Sequence, residues 1–125
     1  MQAPRALVVM PRDRHAEFQR AVSAAGVEWV WAANCAEARA ALTLDPDLAV
    51  VVSELSLSDG NWYCMLDALV RRGMDANLIL VAPAGAKRLD VAGYGVFGVL
   101  RRPLDESAVE LIQAAAHISA AKAGR

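Results

Sequence analysis

The sequence predicts an α/β domain, a five-stranded parallel sheet with helices on both faces. Three observations predict it. Leu48-Ala49-Val50-Val51-Val52 is an unbroken apolar run, rich in β-branched residues and bounded by turn formers, which reads as a strand buried on both sides. Further short runs of this kind recur along the chain at Arg5–Met10, Leu78–Ala82 and Val96–Leu100. The segments between them carry helical spacing and capping residues, so strands alternate with helices through short loops. In such sheets chemistry sits beyond the carboxyl ends of the strands, which directs attention to Ser53–Asn61.

The elements follow in order. Arg5–Met10 (RALVVM) is the first strand and Pro11 breaks it. Arg12–Ala25 places apolar residues at Ala16, Phe18, Ala21, Val22 and Ala25, a helical spacing stopped by Gly26. Val27–Ala32 is the second strand; Trp29 and Trp31, two apart, share one side and read as core beneath a helix. Asn34, with Glu37 three residues on, forms a capping-box arrangement for the helix Cys35–Leu44. The third strand, Leu48–Ser53, leads into a loop, Glu54–Gly60. Asn61 then caps Trp62–Arg72, with Gly73 at its end. Leu78–Ala82 is the fourth strand. Pro83–Gly95 is the weakest segment, because Gly85, Gly93 and Gly95 leave room only for a short helix, Ala86–Ala92. Val96–Leu100 is the fifth strand, Arg101-Arg102-Pro103 turns the chain, and Asp105 caps a long last helix, Glu106–Ala121, before a fraying tail. Right-handed crossovers then favour the flavodoxin-like strand order 2-1-3-4-5, with five helices in a three-layer sandwich.

The bulk properties agree with one domain over residues 1–125, its core at about 4–120. Thirteen basic and fourteen acidic residues leave a net charge of −1, which argues against a general nucleic-acid or membrane-surface binder. No apolar run reaches the roughly 18 residues of a membrane span, and the N-terminus lacks a signal-peptide layout, so the expected location is the cytoplasm. Cys35 and Cys64 have no metal-type spacing and are expected to be two reduced cysteines.

PDLAVVVSELSLSDGNW, LRRPLDESAVELI and RALVVMPR together resemble the receiver domain of two-component response regulators, the CheY-like superfamily, over about residues 4–120. The resemblance implies specific site positions. The phosphoacceptor position falls on Glu54, the metal-binding acidic pair on Met10 and Pro11, and the hydroxyl position on Ala82. The lysine position falls on Arg102, the aromatic switch on Val99, and the turn, implied to be cis, on Pro103. Most of these positions depart from the family's chemistry, so the chain resembles a degenerate, or pseudo, receiver.

The departures have physical consequences. Magnesium takes octahedral oxygen ligands, but Met10 offers a thioether and Pro11 not even an N–H, so no cofactor is expected and Mg2+ is disfavoured. Asp13 is the nearest substitute acid and is expected to point elsewhere. A Glu54–Arg102 pair would approximate the contact between phosphoaspartate and lysine in an activated receiver; the plainer reading is a partly solvated salt bridge. Arg12, Arg101 and Arg102 could hold an anion without metal, although Arg12 and Arg101 read first as solvated loop charges. His15 and His117 are expected far from the strand ends, so no Ser-His-acid constellation with Ser53, Ser56 or Ser58 is supported.

The favoured function is a non-enzymatic signalling module. It would act by protein–protein contact through the fourth helix, fifth strand and fifth helix, about Ala86–Ala116, with homodimerisation there as one form. A divergent receiver still phosphorylated on Glu54, Ser53 or Asp59 is the second reading. The third is a small α/β protein binding an anion or nucleotide; MPRDRH lacks the glycine-rich phosphate loop that reading would need.

Overall fold

The computed structural model describes residues 3–86, 91 and 93–123, with the side chains of 119–123 left aside. Strands β1 (Arg5–Val9), β2 (Glu28–Ala32), β3 (Val50–Glu54), β6 (Asn77–Ala82) and β7 (Gly98–Arg101) form one sheet in the order β2-β1-β3-β6-β7. Every pairing in it is parallel. Strands β4 (Ser56–Leu57) and β5 (Gly60–Asn61) form a separate antiparallel hairpin inside what the sequence reads as loop. Without that hairpin, the order is the expected 2-1-3-4-5.

The unbroken apolar strands follow from the two layers of helices. Along β1, Ala6 and Val8 face helices α1 (His15–Val22) and α4 (Glu106–Ala123), whereas Leu7 and Val9 face α2 (Cys35–Leu44) and α3 (Tyr63–Arg72). Val50, Val52 and Val51 divide in the same way along β3. Period-two alternation thus divides the apolar residues of the central strands between two cores. Trp29 and Trp31 do lie on one side, against the edge of Phe18 at ring-centroid separations of 5.9 and 6.5 Å.

Caps and stops explain the helix ends. Asn34 Oδ1 accepts the Glu37 N–H, while Glu37 Oε1 accepts the N–H of Ala33 rather than that of Asn34, one residue off the reciprocal capping box. Asn61 Oδ1 accepts the Tyr63 N–H at 3.0 Å, and Gly73 closes α3 at φ 61°, a left-handed conformation that suits glycine. Arg12–Ala25 is not one helix: 3-10 turns at Arg12–Arg14 and Ser23–Ala25 flank α1. The last helix runs to Ala123. The expected fourth helix, Ala86–Ala92, falls largely on 87–90 and 92, outside the described residues.

Gly98 on β7 lies under Leu111 of α4, where an added Cβ would come 2.8 Å from Leu111 Cδ2. The clashing atom is the free end of a half-buried side chain. Gly98→Ala is therefore expected to cost about 1 kcal/mol, the low end for overpacking, as read by urea unfolding. A cost several times larger would mean that Leu111 has no alternative rotamer.

Two expectations are corrected. Cys35 and Cys64 are not free thiols but a disulfide joining the first turns of α2 and α3, with Cα atoms 6.5 Å apart. Burying Cys35 at the start of α2 and half-burying Cys64 at the start of α3 sets the two sulfurs side by side, which spacing in sequence does not reveal. His15 is not remote from the strand ends. Its Nε2 lies 2.7 Å from the Met10 carbonyl oxygen, just past β1, and its ring lies 4.9 Å from that of Trp31.

Candidate functional site

The last residue of β3 is the centre of the site. Val52 and Glu54 point to the same side of the sheet, so Glu54 is carried beneath the chain that enters α1, with its side chain only 7 % exposed. A carboxylate taken from water this completely needs partners. It has two. Arg14 Nη1 donates to Glu54 Oε1 and Oε2 at 2.6 and 2.8 Å. Arg102 Nη1 lies 2.8 Å from Glu54 Oε2, in the pairing the sequence anticipates.

Local structure places each guanidinium. Pro11 ends β1 and starts a 3-10 turn, which carries Arg14 back over the strand ends. Arg12, two residues earlier on the turn, points away and bridges Glu37 at 2.6 Å. Arg102 follows β7, its N–H donating to the Ala82 carbonyl, and precedes a cis peptide bond to Pro103. The Glu54 hydrogen bond and charge raise the Arg14 pKa above its ordinary value. Among the described residues, two cations on one acid leave the cluster at a formal charge of +1.

The remaining positions bring no oxygen to this centre. Met10 and Ala82 are fully buried and Val99 is half-buried against the α2–α3 layer. Pro11 borders the cleft above Glu54, about 320 Å³, together with Arg14, Leu55, Ser56, Pro83 and Arg102. Ser53 is buried with its hydroxyl donating to the Glu54 carbonyl oxygen at 2.9 Å. This donor set does not fit a divalent metal. A thioether and a proline stand at the acidic-pair positions, and guanidinium groups occupy both oxygens of the Glu54 carboxylate. Among the described residues no group of three metal-ligating side chains occurs.

Arg12, Arg101 and Arg102, the three arginines of the anion reading, are engaged at separate places. Arg12 is spent on Glu37, and Arg101 Nη1 donates to the Ala86 carbonyl at 3.1 Å. Sequence reasoning missed Arg14. The available signal was the PRDR run after a strand: a tight turn beginning at Pro11 sends Arg12 and Arg14 to different sides.

The loop after Glu54 is tied to α2. Asp59 accepts the N–H of Cys35 at 2.8 Å and of Ala36 at 3.0 Å, one carboxylate oxygen to each, at the positive end of the helix. These bonds, that from Cys35 foremost, hold the Asp59 carboxyl below its ordinary pKa. A folded value below the unfolded one stabilises the protein fully above the unfolded pKa, and the effect is lost as pH falls through the folded value. Asp59→Ala is thus expected to destabilise the domain near neutral pH and to have a shrinking effect in acid. Urea unfolding at about pH 7 and about pH 2 reads the difference; an undiminished effect in acid would contradict this role.

Trp62 and Tyr63 open α3 with rings stacked at 4.1 Å, and Tyr94 meets both edge-on at 5.7 and 5.8 Å. Gly93 and Gly95, at φ 92° and 78°, make the turn that presents Tyr94. Trp62 is buried, whereas Tyr63 and Tyr94 are nearly half exposed.

No protein-family model matches this sequence, and no curated protein is significantly similar to it. Solved structures are similar in fold. One is the signal receiver domain of an HD domain-containing protein from Pseudomonas fluorescens, 17% identical, covering 100% of this chain and 95% of that one, with a TM-score of 0.80. A response regulator receiver domain protein from Clostridium thermocellum is 17% identical over 92% of this chain and 95% of its own, at 0.76. A response regulator receiver protein from Pseudomonas putida is 21% identical over 91% and 98%, at 0.73. The chain has the receiver-domain fold, a flavodoxin-like parallel sheet with helices on both faces. No helix among the described residues is long and apolar enough to cross a membrane.

Proposed function

We propose that the chain is a receiver-type module of two-component signal transduction that works without phosphorylation, by protein–protein contact in the cytoplasm, and is not an enzyme. One observation carries the reading: the carboxylate at the acceptor-equivalent position, Glu54, already holds two guanidinium groups, Arg14 and Arg102. A receiver must bring a metal and a phosphoryl group to an aspartate there. Here Arg14 supplies positive charge in place of a metal, and Glu54, one methylene longer than aspartate, supplies fixed negative charge next to the lysine-equivalent Arg102. Magnesium has no role in this reading, because phosphoryl transfer depends on charge neutralisation that Met10, Pro11 and Ala82 cannot help provide.

The partner surface in this reading is β7 with α4 and the chain before them, about Ala86–Ala116. A cleft of about 570 Å³ there is lined by Val99, Arg101, Pro103, Asp105 and Leu111, among others. It is continuous with the site through Arg102, which borders both clefts. A second copy of the chain is one occupant this face could take, and sedimentation velocity reads it directly.

Intact mass after incubation with acetyl phosphate, with and without magnesium, tests the reading. The expected result is an unmodified chain under both conditions. A metal-dependent adduct on Glu54, Ser53 or Asp59 would overturn the proposal and restore a phosphorelay role. Glu54→Asp is expected to stay unmodified as well, since shortening the side chain adds none of the missing oxygens.

A further inference from the structure

The Cys35–Cys64 bond closes a ring that contains β3, Glu54 and the β4–β5 hairpin. The hairpin lies on the bond. A Cβ on Gly60 would come 3.2 Å from Cys35 Sγ, and the Asn61 carbonyl oxygen is 3.9 Å from that sulfur. The Asp59 carboxylate meanwhile holds the Cys35 and Ala36 N–H groups. Beyond the bond, Trp62 and Tyr63 precede Cys64 directly and carry the contact with Tyr94. Apart from the disulfide, Asn61 Oδ1 on the Tyr63 N–H and the Trp62 N–H on the Leu55 carbonyl oxygen hold the entry to α3.

We propose that this disulfide is a redox-set latch: oxidised, it pins the first turn of α3 and the hairpin after Glu54 to α2; reduced, it leaves the hairpin to the Asp59 cap, frees the first turn of α3 and loosens the exposed Tyr63–Tyr94 face. Two features make the bond openable without unfolding. Cys64 is half-buried, the more accessible of the two residues, while Cys35 is buried with the Asn61 carbonyl oxygen in place to accept its S–H. Both apolar layers of the sheet and the Asp59 cap remain without the bond.

The co-reactant is a dithiol. Its thiolate attacks Cys64 Sγ, breaks the Sγ–Sγ bond and releases Cys35 as a thiolate, which takes a proton. The second thiol of the reductant then closes on its own mixed-disulfide sulfur and expels Cys64, which is protonated in turn. Two electrons and two protons pass to the protein, and the reductant leaves as a disulfide.

Hydrogen exchange on the whole chain, oxidised and after dithiothreitol, tests the latch, with alkylation and intact mass reporting the thiol state. The expected result is exchange at least about tenfold faster over residues 56–66 on reduction, with β1, β3 and β6 remaining the most protected segments, as for local opening in a protein that stays folded. The Cys35→Ser, Cys64→Ser double variant is expected to match the reduced protein with or without dithiothreitol. Unchanged exchange over 56–66 in protein shown to carry two free thiols would overturn the proposal. So would global unfolding on reduction, which would make the bond a structural staple. Two free thiols persisting in an oxidising glutathione buffer would overturn it as well. The wild-type comparison decides even if the double variant fails to fold.

Discussion

Arg14→Met combined with Arg102→Met is expected to lower the stability of the domain by about 3–5 kcal/mol, the cost of stripping a buried charge of its partners. Glu54 is nearly sealed from water, and both of its oxygens are engaged by these two guanidinium groups. Without them the carboxylate faces the apolar rim of Leu55, Val81 and Pro83 stripped of both guanidinium groups. The single changes are expected to be unequal. The Arg14 side chain is about half in water, so its pair behaves more like a surface bridge, worth about 1 kcal/mol. The Arg102 side chain, only 18 % exposed, is expected to cost more. Adding Glu54→Leu to the double variant should recover most of the loss, since replacing a whole buried ion set with apolar groups is often nearly neutral. Urea unfolding of the wild type and the four variants decides it. A triple variant as unstable as the double would show that the arginines act through the packing of their stems rather than through the carboxylate.

The second large effect belongs to the disulfide. Cys35 and Cys64 are 29 residues apart, and removing a cross-link over a loop of that length is expected to cost about 3–4 kcal/mol, mainly through the freedom returned to the unfolded chain. Such a loss lies within the roughly 5–15 kcal/mol of a typical domain, which is why the reduced protein is expected to stay folded. Denaturation midpoints of the wild-type protein with and without dithiothreitol, beside the Cys35→Ser, Cys64→Ser variant, read it. The variant should coincide with the reduced protein and be indifferent to reductant. An identical midpoint in oxidised and reduced wild type would show that the unfolded chain gains nothing from losing the bond.

By itself the sequence determined the architecture, because the signals for it are local. Two-sided burial makes Leu48–Val52 and Leu78–Ala82 continuous apolar runs, so the parallel sheet is visible without any contact being known. Asn34, Gly73 and Asp105 mark helix ends through bonds to residues a few positions away. The position of Glu54 at the end of β3 and the approach of Arg102 were legible for the same reason, with register carried by the turn chemistry of LSLSDG and RRP. What only the tertiary structure decided is which distant groups meet. A run of two arginines around an aspartate does not say that Arg14 turns inward and Arg12 outward, since a 3-10 turn rotates them differently from a regular helix. Nor does alternation in the strands say that Asp59 caps a helix 24 residues earlier, or that two cysteines on separate helices share a bond. Those choices are set by how α2 and α3 pack side by side on one face of the sheet, a long-range arrangement on which local propensity has no hold.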